Sequence, residues 1–155
     1  MYNPKFLDIA IKESYKAYKK NDVPVGCVIV YGDKIISKSY NKKYNTKQIT
    51  DHAELIAIKK AINKNKDWRL NNCEMYVTLE PCLMCAGAIL QTRIKTLYIA
   101  TKDPTHGAFS TSIDITKHYK FNKDLKIIYI DDNQECLQLI KKFFKEKRKN
   151  NWYNK

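Results

Sequence analysis

Two cysteines, Cys82 and Cys85, follow Pro81 in the run TLEPCLMCAGAIL, and His52 stands two residues before Glu54 in the run DHAELIAIKKAI. No other feature of the chain limits its fold as tightly. Leu55, Ile58 and Ile62 make one helical stripe behind His52. Pro81, a favoured first helical residue, predicts a helix running from Cys82 to about Gln91. Each donor set therefore opens a helix at a loop-to-helix or strand-to-helix junction. If thiols and imidazole serve one ion, the fold must bring two helix starts together. Backbone N–H groups and the helix dipole put partial positive charge at such starts. That field lowers thiol pKa and favours thiolates.

The rest of the pattern suits such a fold. Apolar positions from Lys5 to about Lys19 recur at helical spacing. VPVGCVIVYGDKIISKSYN reads as a hairpin turning at Gly32 and Asp33, and a polar loop is expected over NKKYNTKQIT. EMYVTL, IKTLYIA and LKIIYI read as strands, and QECLQLIKKFFKEKRK as a basic amphipathic helix over about 133–149. Helix, two strands, helix, strand, helix, two strands, helix predicts an α/β fold: a three-layer α/β/α sandwich around about five strands. One domain over residues 1–155 is expected.

Composition narrows the classes. No apolar run approaches the roughly 18 residues of a membrane helix, and the first residues lack a signal peptide's charged-then-apolar plan. A cytoplasmic protein without membrane attachment is the expectation. Five cysteines at uneven positions do not make a secreted disulfide framework. The formal charge of +13 points to a polyanion, nucleic acid first; codons of an AT-rich genome also favour lysine.

A catalytic zinc site usually takes three protein ligands and leaves one position for water. Of the three histidines, His106 and His118 fall in expected loops, and His52 is the one placed to join the cysteines. One imidazole and two thiolates leave the site near neutrality, so the ion stays a good Lewis acid. Glu54 has the length to reach the water without ligating, and can carry its proton to a departing amine. Blander roles stand beside these. Asp51 and Glu54 fit a capping box, and Cys-x-x-Cys also suits a redox pair. Cys27 and Cys136 read as small core residues, and Cys73 as half-exposed near a strand start.

His-x-Glu followed by Pro-Cys-x-x-Cys is the signature of zinc nucleobase deaminases; here it reads HAE, then PCLMC. With DVPVGCVIV, YN ending at Asn41, TLEPCLMCAGAIL, RI at Arg93, KDP at Asp103 and ECLQLIKKFFKEKR, the chain resembles the bacterial tRNA-specific adenosine deaminases over nearly its whole length. The resemblance implies a cytidine deaminase-like fold with a mixed sheet, and adenosine-to-inosine conversion at the wobble position of an anticodon loop, in an arginine tRNA. It implies one Zn²⁺ per subunit held by His52, Cys82 and Cys85, with Glu54 moving protons. It also implies that Asn41 holds the nucleoside and that Val25 and Leu79 wall the base. Lys102 and Asp103 would lie beside ribose and backbone, and Phe143, Phe144, Lys147 and Arg148 would contact flanking nucleotides. A homodimer completing the RNA site across its interface is implied as well.

Physics supports such a substrate, because unpaired loop bases leave the stack easily and aromatics among lysines suit stacking with phosphate contact. Paired aromatics on an amphipathic helix also divide commonly into one core residue and one cover. The chain departs from the family's pattern at Ile49-Thr50-Asp51, where Pro-Thr-Ala is usual, in the loop GAFST, and near Ile130, where a glycine is missing. Other readings are a deaminase of a free base or nucleoside, such as guanine or cytidine, and a noncatalytic RNA-binding subunit with structural zinc.

Overall fold

The computed structural model describes residues 1–130 and 133–152; of the expected span 1–155, residues 131–132 and 153–155 lie outside the described residues. Helix α1 (Pro4–Lys19) begins at Asn3, whose side chain accepts from Lys5 N, with Pro4 preset for the first turn. The hairpin forms as strands β1 (Gly26–Tyr31) and β2 (Lys34–Tyr40). A one-turn helix, α2 (Lys43–Thr46), corrects the expected polar loop. Helix α3 (Ala53–Asn65), β3 (Cys73–Val77), α4 (Leu83–Gln91), β4 (Thr96–Ile99), β5 (Lys126–Tyr129) and α5 (Gln134–Lys149) follow.

The sheet order is β2-β1-β3-β4-β5. β1 runs antiparallel to both neighbours, while β3, β4 and β5 are parallel. The sheet is mixed. Its apolar side chains alternate between two cores, as strand geometry requires. Cys27, Ile29, Met75, Val77, Leu97 and Ile99 face α3 and α4. Val28, Val30, Tyr76 and Tyr98 face α1, with Cys136 of α5 on the same side. These are the expected three layers. Gly26 is needed where α1 crosses β1: a Cβ there would fall 1.9 Å from the Ala10 carbonyl oxygen. Cys73 is buried, because it pairs with Tyr31 at the start of β3 and packs into the α3/α4 core; the half-exposed expectation is corrected.

β2 forms one edge of the sheet. Lys60 and Lys64 of α3 donate to its carbonyls at Lys38 (3.1 Å) and Ile36 (3.4 Å). Because β1 opposes β3, the start of β1, the end of β2 and the carboxyl ends of β3, β4 and β5 lie at one rim. Clefts of open α/β sheets form at that rim.

Candidate metal and nucleoside site

His52 and Cys82 are the N-cap residues of α3 and α4, both with extended backbone and neither using its side chain as a cap. Their carbonyls accept the first helical bonds, from Ile56 N (3.0 Å) and Ala86 N (2.8 Å). The side chains are thereby left for other work. This corrects two expectations. Asp51 precedes the cap, so no capping box forms, and Pro81 precedes Cys82 rather than opening the helix. Cys85 is the third residue of α4. The N-cap-to-N3 spacing that ordinarily brings a cap against the helix instead sets two sulfurs side by side.

The cluster is tight. Cys82 Sγ lies 3.7 Å and Cys85 Sγ 3.5 Å from His52 Nδ1. One ligand atom from each of the three residues lies within 4.8 Å of the others. Around a tetrahedral zinc, bond lengths of about 2.3 Å to sulfur and 2.05 Å to nitrogen put these donors about 3.6 Å apart. The donor set fits that ion in chemistry and spacing. Hydrogen bonding from Cys85 foremost, and from His52, holds the Cys82 thiol down at about 3. The Cys85 thiol is pushed up, first by its bond to Cys82 and then by burial. His52 is raised, chiefly by its bond to Cys82.

Glu54, in the first turn of α3, is 3% exposed, and burial pushes its carboxyl up to about 7. Its Oε2 has no hydrogen-bond partner. A buried, unpartnered carboxyl oxygen is costly unless a reactant meets it. Glu54, His52 and Cys82 line a cleft of about 830 Å³.

Val25, Asn41, Leu79, Lys102, Asp103 and Phe144 line that cleft too, and His106 stands at its wall. Asp103 Oδ1 accepts from Thr105 N (2.9 Å) and His106 N (3.1 Å), folding its own loop. Two members of the expected RNA-contacting set are corrected. Phe143 is 1% exposed, edge-on to Tyr18 and Trp152. Lys147 is also buried, its ammonium bonded to Asn21 Oδ1 and over the Phe143 and Trp152 rings. Both continue the inward stripe of Cys136 and Leu139. Arg148 is exposed and outside the cleft lining.

Sequence reasoning missed several cleft residues. Leu137, Ile140, Lys141 and Phe144 form one helical row along α5, a spacing that could have revealed them. Lys43 and Tyr44 line the cleft because α2 exists. Glu80 was missed as well. Its Oε1 accepts from Phe109 N, Thr111 N and Tyr129 OH, and its Oε2 from Asp103 N. It thereby ties down the loop that follows β4. Phe109, which departs from the family's small residues, is buried in the α3/α4 core.

Sheet, helix starts and donor set define the zinc-binding region of the cytidine and deoxycytidylate deaminases, whose family model matches residues 2–101. The tRNA-specific adenosine deaminase of Aquifex aeolicus is 38% identical over 145 residues, 94% of this chain and 95% of that one. A solved tRNA:A34 deaminase, studied for A-to-I editing at the wobble position of transfer RNA, superposes with a TM-score of 0.84. It is 30% identical, with 88% of this chain and 99% of the other covered. A guanine deaminase from Bacillus subtilis superposes at 0.62, with 27% identity and 73% and 83% coverage. The chain belongs to the tRNA-specific adenosine deaminase family.

Proposed function

We propose that this protein hydrolyses adenosine to inosine at the wobble position of a tRNA anticodon, with an arginine tRNA as substrate. The observation that carries the chemistry is Glu54, a buried carboxylate with an unpartnered oxygen beside a His/Cys/Cys donor set. The substrate rests on similarity to the tRNA deaminases named above, and on the basic outer face of α5. There Lys141, Lys142, Lys145, Arg148 and Lys149 are all exposed, which suits phosphate contact.

His52, Cys82 and Cys85 would hold one zinc ion per chain. Bound there, zinc supplies Lewis-acid activation of water. Glu54 takes a proton from the water that adds to C6 of adenine and delivers it to the amine. The new bond is C6–O, the broken one C6–N6, and ammonia leaves. Burial favours the protonated form of the Glu54 carboxyl, which suits a group that holds a proton between these transfers. Val25 and Leu79 wall the base, and Asn41 hydrogen-bonds the nucleoside. Lys102 and Asp103 meet ribose and backbone, and Phe144 and Arg148 the flanking nucleotides. A homodimer working in the cytoplasm is the assembly and place that the family resemblance implies.

The test is inosine formation in an anticodon stem-loop carrying adenosine at the wobble position, with free adenosine, cytidine and guanine alongside. Conversion of the stem-loop alone is expected. Turnover of a free base or nucleoside instead would overturn the substrate, and no turnover with zinc present would overturn the enzyme.

A further inference from the structure

Asp22 lies in the connection between α1 and β1, fully buried at 0% exposure. No cation among the described residues forms a salt bridge with it. Its charge is met entirely by hydrogen-bond donors, five of them. Oδ1 accepts from Val23 N (3.0 Å) and from the Asn41 side-chain Nδ2 (3.0 Å). Oδ2 accepts from Tyr44 N (2.9 Å), Asn45 N (3.1 Å) and Asn45 Nδ2 (2.8 Å). Burying a carboxylate without a counter-ion is expensive, and so many bonds on one group mark a built feature rather than an accident.

Four of the five donors belong to the segment from Asn41 to Asn45. Lys42, the N-cap of α2, makes no side-chain cap. Asp22 supplies that cap from across the chain, through the Tyr44 and Asn45 amides. The same carboxylate also holds the amide of Asn41, which is 4% exposed and lines the cleft. The Asn41 backbone is pinned separately, its N–H donating to Val25 O at 3.0 Å. With the backbone fixed, the remaining freedom is rotation of the side-chain amide. A carboxylate can only accept, so it selects the orientation in which Nδ2 faces Asp22. The carbonyl oxygen and second N–H of Asn41 are then left, in one fixed sense, for a ligand.

Resting on the reading of Asn41 as the residue that holds the nucleoside, we propose that Asp22 is its positioning residue. Asp22 touches no substrate; it decides which of Asn41's polar atoms substrate meets, and keeps α2 in place beside them.

Asp22→Asn keeps size and shape but turns one acceptor edge into a donor. That edge must face either Val23 N and Asn41 Nδ2 or the α2 amides, donor against donor. The experiment is a double-mutant cycle of Asp22→Asn with Asn41→Ala, reading kcat and KM on the anticodon stem-loop, with zinc content and Tm measured on every variant. A roughly 10- to 100-fold loss of kcat/KM is expected for Asp22→Asn, with zinc retained. In the Asn41→Ala background the further loss is expected to fall below about threefold, because the route to substrate is already cut. A merely structural residue would lower Tm yet multiply in full with Asn41→Ala. That result, or wild-type kcat/KM for Asp22→Asn, overturns the proposal. If Asp22→Asn does not fold, Asp22→Glu carries the same cycle: it keeps the acceptor and displaces it by about one carbon–carbon bond, about 1.5 Å. Wild-type protein that ignores the stem-loop but converts a free base refutes the substrate reading alone, and the cycle is then run on that base.

Discussion

A Cβ on residue 107 would fall 2.4 Å from the carboxyl carbon of Glu80 and 2.6 Å from the carbonyl oxygen of Asp103. Gly107 lets the loop after β4 close on the buried carboxylate that organises it. The neighbours are a bonded carboxylate and backbone, so neither gives way easily. Gly107→Ala is expected to cost roughly 1–3 kcal/mol, lowering Tm by about 3–10 °C. Because Asp103 and His106 move with the loop, KM for the stem-loop should rise too. Unchanged Tm and KM would mean that the loop has slack.

Glu80 gives a pH signature. Burial alone would push its carboxyl up, yet the hydrogen bonds converging on its oxygens hold it below the ordinary carboxylate value. A folded pKa below the unfolded one, about 4.3, contributes stability that is present above that value. The contribution is lost as pH falls through the folded pKa. Glu80→Gln, which turns one acceptor into a donor facing backbone N–H groups, should cost about 1–3 kcal/mol at neutral pH. The gap between the two melting curves should close progressively below about pH 4.3. A gap that stays constant to pH 3 would count against the ionised carboxylate as the loop's anchor.

Glu54 and Cys85 separate chemistry from metal. Glu54→Ala should retain zinc and lose about 10²- to 10⁴-fold in kcat. Cys85→Ser should lose zinc and turnover together. Metal content measured beside kcat distinguishes them, and a Glu54→Ala protein that still turns over at wild-type rate would exclude Glu54 as proton carrier.

The two adjacent aromatics of α5 should part company. Phe143→Ala empties a buried site at a cost of roughly 3–5 kcal/mol, so Tm should drop by about 10 °C or more. Phe144→Ala should melt near wild type and weaken stem-loop binding about 5- to 150-fold, as expected for loss of one stacking contact. Equal effects on both readouts would dissolve the distinction.

The donor set was legible because its two halves, His-x-Glu and Pro-Cys-x-x-Cys, are each local motifs, although they meet across 30 residues of sequence. Cys82 and Cys85 share one helical turn, and among the described residues His52 opens the one helix whose start carries a His-x-Glu pair. The sheet followed from short apolar runs such as GCVIVY and TLYI, bounded by turns and loops and needing cover on both faces. What escaped depends on contacts distant in sequence. KYNT has no helical stripe, and α2 is capped by Asp22 from beyond the hairpin. Glu80 reads as part of a motif until the loop at 103–111 folds onto it. Lys147 reads as a solvent-facing cation until Asn21 and Trp152 enclose it, whereas Phe143 was recoverable from the row Cys136, Leu139, Phe143.

Lys60 and Lys64 have a meaning apart from catalysis. An open strand edge is a template on which another chain can add itself, and positive side chains laid along it are a common guard. Here the ammonium groups occupy the very carbonyls of β2 that an incoming strand would take. Acetylation of these two lysines would remove their charge and leave each a single amide N–H, a weaker guard over these carbonyls, so self-association along the edge should rise. Substitutions that strip positive charge from the outer face of α5 should therefore leave this pair in place.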